Sequence, residues 1–291
     1  MRSEEEILNL VLSFARADSR VRAVCMNGSR ANPAAPADCF RDFDIVYLVT
    51  DIAPFLEDKS WIDGFGERMI MQTPEEPGGL FSPSLGGRYT FLMLFTDGNR
   101  IDLMLCPLAM LNEYVKEDSQ IVALLDKDGL LPPLAAPSDE TYRIKRPTAR
   151  CFADCCNEFF WVSVYVAKGL WRGELPYALH HLDECVRPML LNMLTWQAGV
   201  LTGFLKSAGK CGKYLNKYLP APVYEAYLAT YTDAAPEHVW AALFRCICLF
   251  RQSAGEVAGA LGFSYPEKDD AAVSAYLLHI KSLAPDAKVI F

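Results

Sequence analysis

Ser3 stands three residues before Glu6, and the apolar positions Ile7, Leu8, Leu10, Val11 and Phe14 recur behind them at helical spacing, which predicts a first helix over residues 4–17. A short apolar run at 21–26, rich in β-branched residues and closed by Asn27-Gly28, reads as a buried strand. Residues 42–50 form a second strand, with Asp42, Asp44, Val46 and Leu48 on one face and Phe43, Ile45, Tyr47 and Val49 on the other. Frequent Pro, Gly and Asp between 51 and 87 predict loops around one helix near 55–65. Residues 88–96 and 99–106 flank Asp97-Gly98 as a hairpin with a two-residue turn, which places Asp102 on a strand of the same small mixed sheet. A helix over 107–115 and a short strand over 121–125 complete this half.

Pro132, Pro133, Pro137 and Pro147 break regular structure across 131–147 and predict an interdomain linker. Beyond it the period changes. Residues 149–170, 175–198, 210–219, 223–230, 236–261 and 270–283 all follow helical spacing, with few strand signals. The pattern therefore predicts an α/β (α+β) chain in two parts: a mixed sheet flanked by helices over 1–135, then an all-helical domain over 136–291.

The totals add limits. At 291 residues with 52% hydrophobic and 22% charged positions, the chain is globular and long enough for two cores. Ten cysteines without paired C-x-x-C elements predict reduced, buried thiols rather than disulfides or a structural zinc site. The acidic opening Met1-Arg2-Ser3-Glu4-Glu5-Glu6 is unlike a basic export signal, and Arg245 and Arg251 interrupt the most apolar run well short of the ~20 residues a membrane span requires. A cytoplasmic protein with no membrane partner is expected. A net charge of −8 without a Lys/Arg tract argues against nucleic acid as a partner and suits a cationic small molecule, although mild acidity also serves solubility.

Gly28-Ser29, Asp42-Phe43-Asp44 and Asp102 make one constellation. Two carboxylates at i and i+2 on a strand point the same way, and a third from a nearby strand completes an oxygen cage for one or two Mg²⁺ ions. Such ions activate an attacking hydroxyl, bridge phosphates and neutralise a leaving pyrophosphate. Gly28 lets the backbone approach a phosphate, Ser29 adds a hydroxyl and an amide at a helix start, and Arg30 and Arg41 are candidates to neutralise phosphate charge. Taken singly, Gly28-Ser29 is also a strand-to-helix turn and the aspartates a solvated strand end. The neighbours Phe43, Ile45, Val46 and Tyr47 favour cation binding, because uncompensated carboxylates beside a core are costly.

The arrangement resembles the nucleotidyltransferase superfamily signature. More narrowly, Asn27-Gly28-Ser29-Arg30-Ala31-Asn32-Pro33, Asp42-Phe43-Asp44-Ile45-Val46-Tyr47 and Asp97-Gly98-Asn99-Arg100-Ile101-Asp102-Leu103 resemble the streptomycin-modifying aminoglycoside 6-adenylyltransferases. The likeness continues through Asn157-Glu158-Phe159-Phe160-Trp161, Tyr165-Val166-Ala167-Lys168-Gly169-Leu170-Trp171-Arg172 and Gly212-Lys213-Tyr214-Leu215, and spans residues from about 5 to 265. It implies a nucleotidyltransferase catalytic domain followed by a helical substrate-binding domain, with ATP and acceptor in the cleft between them. The implied reaction transfers AMP from ATP to the 6-hydroxyl of streptomycin and releases pyrophosphate, by in-line attack on the α-phosphorus. Asp42, Asp44 and Asp102 would be the catalytic ligands of two Mg²⁺ ions, with Asp102 as ligand, general base or both. Phe43 stands where many relatives carry Tyr, on the face away from the metals.

Along the 149–170 helix, Asp154, Glu158, Trp161, Tyr165 and Lys168 share one face. A guanidinium-bearing sugar calls for such carboxylates and aromatic surfaces, although the same face also reads as an amphipathic helix packing its rings. Asp183 and Glu184 add negative charge or are helix surface. His180 and His181 diverge by ~100° on a helix and cannot chelate one ion together. Lys210, Lys213 and Lys217 at i, i+3 and i+7 form either a basic edge for the triphosphate, with Lys213 the candidate, or a solvated face. Two rival readings stay open: a superfamily enzyme for another small-molecule, protein or nucleic-acid acceptor, and a nonenzymatic nucleotide-binding regulatory module. No pattern speaks to oligomeric state.

Overall fold

The structure is a computed structural model that describes residues 1–32 and 35–291, so Pro33 of the glycine motif lies outside the described residues. It divides into two compact units, Met1–Thr141 and Tyr142–Phe291. Residues 136–141 sit with the first unit because Ser119 and Ser138 exchange hydrogen bonds: the Ser138 amide donates to the Ser119 carbonyl at 2.9 Å, and the Ser119 hydroxyl to the Ser138 carbonyl at 2.9 Å.

In the first unit, helix α1 (Glu4–Ala17) starts at the Ser3/Glu6 capping box and buries Ile7, Val11 and Ala15. Strand β1 (Val21–Asn27) runs into the single turn α2 (Gly28–Ala31). Strand β2 (Phe43–Val49), the short helix α3 (Ala53–Glu57) and a 3₁₀ turn (Ser60–Phe65) follow, so the helix expected near 55–65 is split in two. Strands β3 (Arg68–Gln72), β4 (Tyr89–Phe95) and β5 (Arg100–Pro107), helix α4 (Leu111–Glu117) and strand β6 (Val122–Asp126) complete a six-stranded sheet ordered β3-β4-β5-β2-β1-β6. Strands β2 and β5 run parallel, and the other pairs are antiparallel.

The alternation along β2 sorts its side chains as expected. Phe43, Ile45, Tyr47 and Val49 join the core under α1, where the buried Tyr47 hydroxyl donates to the Val11 carbonyl at 2.7 Å. Val46 and Leu48 face a second cluster with Cys25, Cys106 and Tyr114. Strand β3 falls where loops were expected, because Met69, Ile70 and Met71 are all exposed on an edge strand and leave no alternation to read. The hairpin is real, but its turn is longer than two residues. Phe95 N donates to Asn99 O at 2.9 Å and Gly98 takes φ 84°, which makes a three-residue loop with a left-handed glycine.

At that turn Asp97 accepts from Arg2 Nε at 2.7 Å, Arg2 N at 3.0 Å, Asn99 N at 3.0 Å and Asn99 Nδ2 at 2.9 Å. These donors, Arg2 first, hold its carboxyl well below the usual carboxylate range. A depressed folded-state pKa adds stability above the unfolded value and loses it as acid protonates the group. Asp97→Asn should therefore lower stability by about 1 kcal/mol at pH 7, and urea titrations should find the gap closing below about pH 4. An equal gap at pH 3 and pH 7 would count against this account.

The second unit contains helices α5 (Ala149–Trp171), α6 (Leu175–His181), α7 (Arg187–Leu201), α8 (Ala221–Leu228), α9 (Pro236–Leu261) and α10 (Glu267–Ser282) around one apolar core. Thr148 caps α5 through its side chain, and the expected 175–198 helix carries a π turn (Leu182–Val186) between α6 and α7. The helix expected over 210–219 is absent. Gly209 (φ 70°), Cys211 (φ 55°) and Gly212 (φ 74°) adopt left-handed backbone and leave two 3₁₀ turns, so Lys210, Lys213 and Lys217 share no α-helical face. All ten cysteines are free, but only Cys25, Cys106, Cys155, Cys156 and Cys246 are buried, whereas Cys39, Cys151, Cys211 and Cys248 are exposed. Among the described residues, no helix is long and apolar enough to cross a membrane.

Candidate active site

Three segments of the first unit meet where β1, β2 and β5 lie side by side. The antiparallel register sets Asn27 beside Asp44, and the parallel register sets Asp44 beside Asp102. Asp42, one residue ahead of β2, follows the alternation onto the same face as Asp44. Gly28 takes φ 71°, and a Cβ on it would stand 2.2 Å from Asp44 Oδ2. Only a glycine leaves room there. Asn27 anchors the turn by donating from Nδ2 to Asp118 at 2.9 Å and accepting from the Tyr114 hydroxyl at 2.5 Å.

Burial, with help from the neighbouring Asp102 and Asp42 carboxylates, pushes Asp44 up to about 6. Burial also raises Asp42, against the pull of Arg100. Arg100 is the residue that sequence reasoning overlooked. Its Nε and Nη2 grip the two oxygens of Asp102 at 2.8 and 2.7 Å, and Nη1 lies 3.6 Å from Asp42. The signal was present, since residues 100 and 102 are i and i+2 on a strand and share a face.

Among the described residues no three His, Cys, Asp or Glu side chains are drawn together as a closed metal site. Arg100 engages both oxygens of Asp102. The donor chemistry nevertheless suits a hard divalent cation. Three carboxylates lie close enough for each of the other two to disfavour ionisation of Asp44, beside a turn too tight for a side chain.

Arg30 does not lie free for a phosphate as expected. It donates from Nε to the Asp42 carbonyl at 3.1 Å, from Nη2 to the Arg41 carbonyl at 2.8 Å and from Nη1 to Glu4 at 2.6 Å, with its guanidinium carbon 3.7 Å over the Phe43 ring. It rivets the entry to β2, and Phe43 does face the core, away from the carboxylates. Arg41 reaches the Ser29 carbonyl through Nη1 at 3.4 Å, and among the described residues its buried Nε has no partner.

In the second unit, Trp161 is 60% exposed and donates from Nε1 to the Tyr165 hydroxyl at 2.8 Å. The Tyr165 ring meets His181 at 5.5 Å, and His181 meets Tyr177 at 4.2 Å, so an aromatic strip crosses from α5 to α6. Tyr177 was missed, and His181 was weighed only with His180, though i, i+4 spacing on a helix could have linked Tyr177 to His181. Lys168 Nζ lies 5.9 Å from the Tyr165 ring centroid. Burial raises the Cys185 thiol, and Glu158 and Glu184 each add to that rise. Asp154 is paired with Arg150 at 2.8 Å. Asp183 is half-exposed and pairs with the buried Arg187. Lys213 Nζ sits 5.1 Å from the Tyr214 ring centroid.

Carboxylates in register on neighbouring strands, beside a glycine turn with open backbone, are equipment for transferring phosphate-linked groups. The family model for streptomycin adenylyltransferase matches residues 1–280. The aminoglycoside 6-adenylyltransferase of Bacillus subtilis (strain 168) is 43% identical over 93% of this chain and 95% of its own length. That of Campylobacter jejuni is 42% identical, over 97% of this chain and 96% of its own, and that of Staphylococcus aureus is 40% identical, over 91% and 94%. A crystal structure of an aminoglycoside 6-adenyltransferase from Bacillus subtilis aligns at 38% identity and TM-score 0.48, covering 97% of this chain and 100% of that one. The chain belongs to the streptomycin adenylyltransferase family and is a nucleotidyltransferase enzyme.

Proposed function

We propose that this enzyme transfers AMP from ATP to a hydroxyl of an aminoglycoside, streptomycin at its 6-hydroxyl, with release of pyrophosphate. The observation that carries the reading is the register of Asp44 beside Asp102, under the Gly28 turn, in a chain more than two fifths identical to the Bacillus subtilis and Campylobacter jejuni 6-adenylyltransferases. Asp42 and Asp44 would hold Mg²⁺ with Asp102 as the third oxygen donor, and the bound ions would supply electrostatic stabilisation of the transferring group. Gly28 and Ser29 present backbone amides to the phosphates, and Arg41, which reaches the Ser29 carbonyl, is the proposed cation beside them. Lys213 is the proposed phosphate contact from residues 142–291 of the chain. ATP and a cationic acceptor are the partners, with residues 1–141 the catalytic part and 142–291 the acceptor-binding part.

On the acceptor side, Trp161 and Tyr165 offer ring faces to a guanidinium or ammonium group, and Glu158, with Asp154 beyond it, offers charge. Trp161→Ala should raise KM for streptomycin about tenfold, the equivalent of ~1.4 kcal/mol, and leave KM for ATP unchanged. A matching rise for ATP would show that the ring does not serve the acceptor.

The direct test is mass analysis of streptomycin after incubation with the enzyme, ATP and Mg²⁺. An added adenylyl mass is expected. Unmodified streptomycin beside a different aminoglycoside that gains that mass would overturn the acceptor assignment, and ATP binding without turnover on any acceptor would favour a regulatory module.

A further inference from the structure

We infer that Arg100 is a built-in counter-ion of the carboxylate site, which holds Asp102 while no divalent cation is bound and is displaced from it when one enters. The inference rests on the reading of Asp42, Asp44 and Asp102 as the cation site. The fork of Arg100 meets Asp102 through two parallel hydrogen bonds of 2.8 and 2.7 Å and leans on Asp42 at 3.6 Å, so one side chain spans two of the three carboxylates. Three carboxylates side by side with no positive charge among them repel each other, and the pull of Arg100 opposes that repulsion at both Asp42 and Asp44.

An arginine cannot step aside by losing its proton at any ordinary pH, so it leaves only by moving. This one has the freedom to move, because its side chain is 43% exposed and bonds to Asp102 and Asp42 alone among the described residues. A divalent cation that takes the oxygens of Asp102 also meets a like charge if the guanidinium stays. Cation binding and release of Arg100 are therefore one exchange, and breaking the Arg100–Asp102 pair subtracts from cation affinity. The freed fork is matched to oxyanions, so the phosphates of the nucleotide are its natural next partner.

The test uses the full chain without nucleotide, titrated calorimetrically with Mn²⁺ at neutral pH, and compares wild type with Arg100→Ala, Arg100→Lys and Asp44→Asn. Arg100→Ala should bind Mn²⁺ about tenfold more tightly, while its cation-free melting temperature falls. Arg100→Lys keeps the charge but not the fork and should lie between them; it also carries the test if the alanine variant does not fold. Asp44→Asn should lose the heat, which ties the signal to this site. If wild type binds Mn²⁺ and the arginine variants bind it no better, Arg100 is merely structural and the exchange is overturned while the cation site stands. If neither wild type nor Arg100→Ala binds Mn²⁺, the cation site itself falls, and the inference with it.

Discussion

Asp44→Asn should cut the rate of AMP transfer by about a thousandfold, close to 4 kcal/mol of lost transition-state stabilisation, and should make the cation-free chain more stable. The two effects share one cause. Asp44 is half-buried at the strand junction, with Asp102 in register beside it, and burial and its acidic neighbours lift its pKa from 3.8 to about 6. Below about pH 3 the group is largely protonated folded or unfolded and carries no penalty. As pH rises, the unfolded chain ionises first, and above about pH 6 the folded chain bears the full cost, roughly 3 kcal/mol at 1.36 kcal/mol per unit. The amide keeps the shape and has no charge to strand. Melting curves at pH 7.5 and pH 3 should therefore separate, with the variant ahead at the higher pH and level at the lower. Wild-type turnover in a folded Asp44→Asn protein would remove Asp44 from the reaction.

Gly28→Ala should be nearly as damaging to activity, through geometry alone. At φ 71° an L-residue costs about 1–2 kcal/mol, and the new methyl would stand 2.2 Å from Asp44 Oδ2, a contact that can be relieved only by moving the carboxylate or the turn. A displacement on the order of 1 Å at a reacting group is worth about a hundredfold in rate. The melting temperature should fall by several degrees, at roughly 2–4 °C per kcal/mol for a chain of this size class. Near-normal kcat with only the stability loss would mean that the turn does not bear on the phosphate site.

What the amino-acid pattern made legible follows from periodicity and local chemistry. The alternation along residues 42–50 foretold both faces of β2, and the turn after residue 27 foretold a glycine that cannot be replaced, because both are properties of a few adjacent residues. The parallel pairing of β2 with β5, which brings Asp44 to Asp102, is a long-range fact that periodicity does not carry. Ionic partners were hardest to foresee. Arg30 and Asp183 looked available in the sequence and Arg100 was overlooked, yet they are taken by backbone carbonyls, by Arg187 and by Asp102 respectively. The 210–219 segment failed for a different reason: lysine and tyrosine spacing suggested a helix, and left-handed backbone at residues 209, 211 and 212 forbids one.

The pairing of β2 with β5 also bears on how the enzyme comes to exist. Asp44 and Asp102 are joined by a long excursion through β3 and β4, so their adjacency exists only where β5 is paired with β2. A half-assembled chain has no such pocket of charge to offer. Whatever ligand settles between the two strands therefore rewards the completed topology and nothing short of it, and acts during biogenesis as a selective stabiliser of the mature sheet.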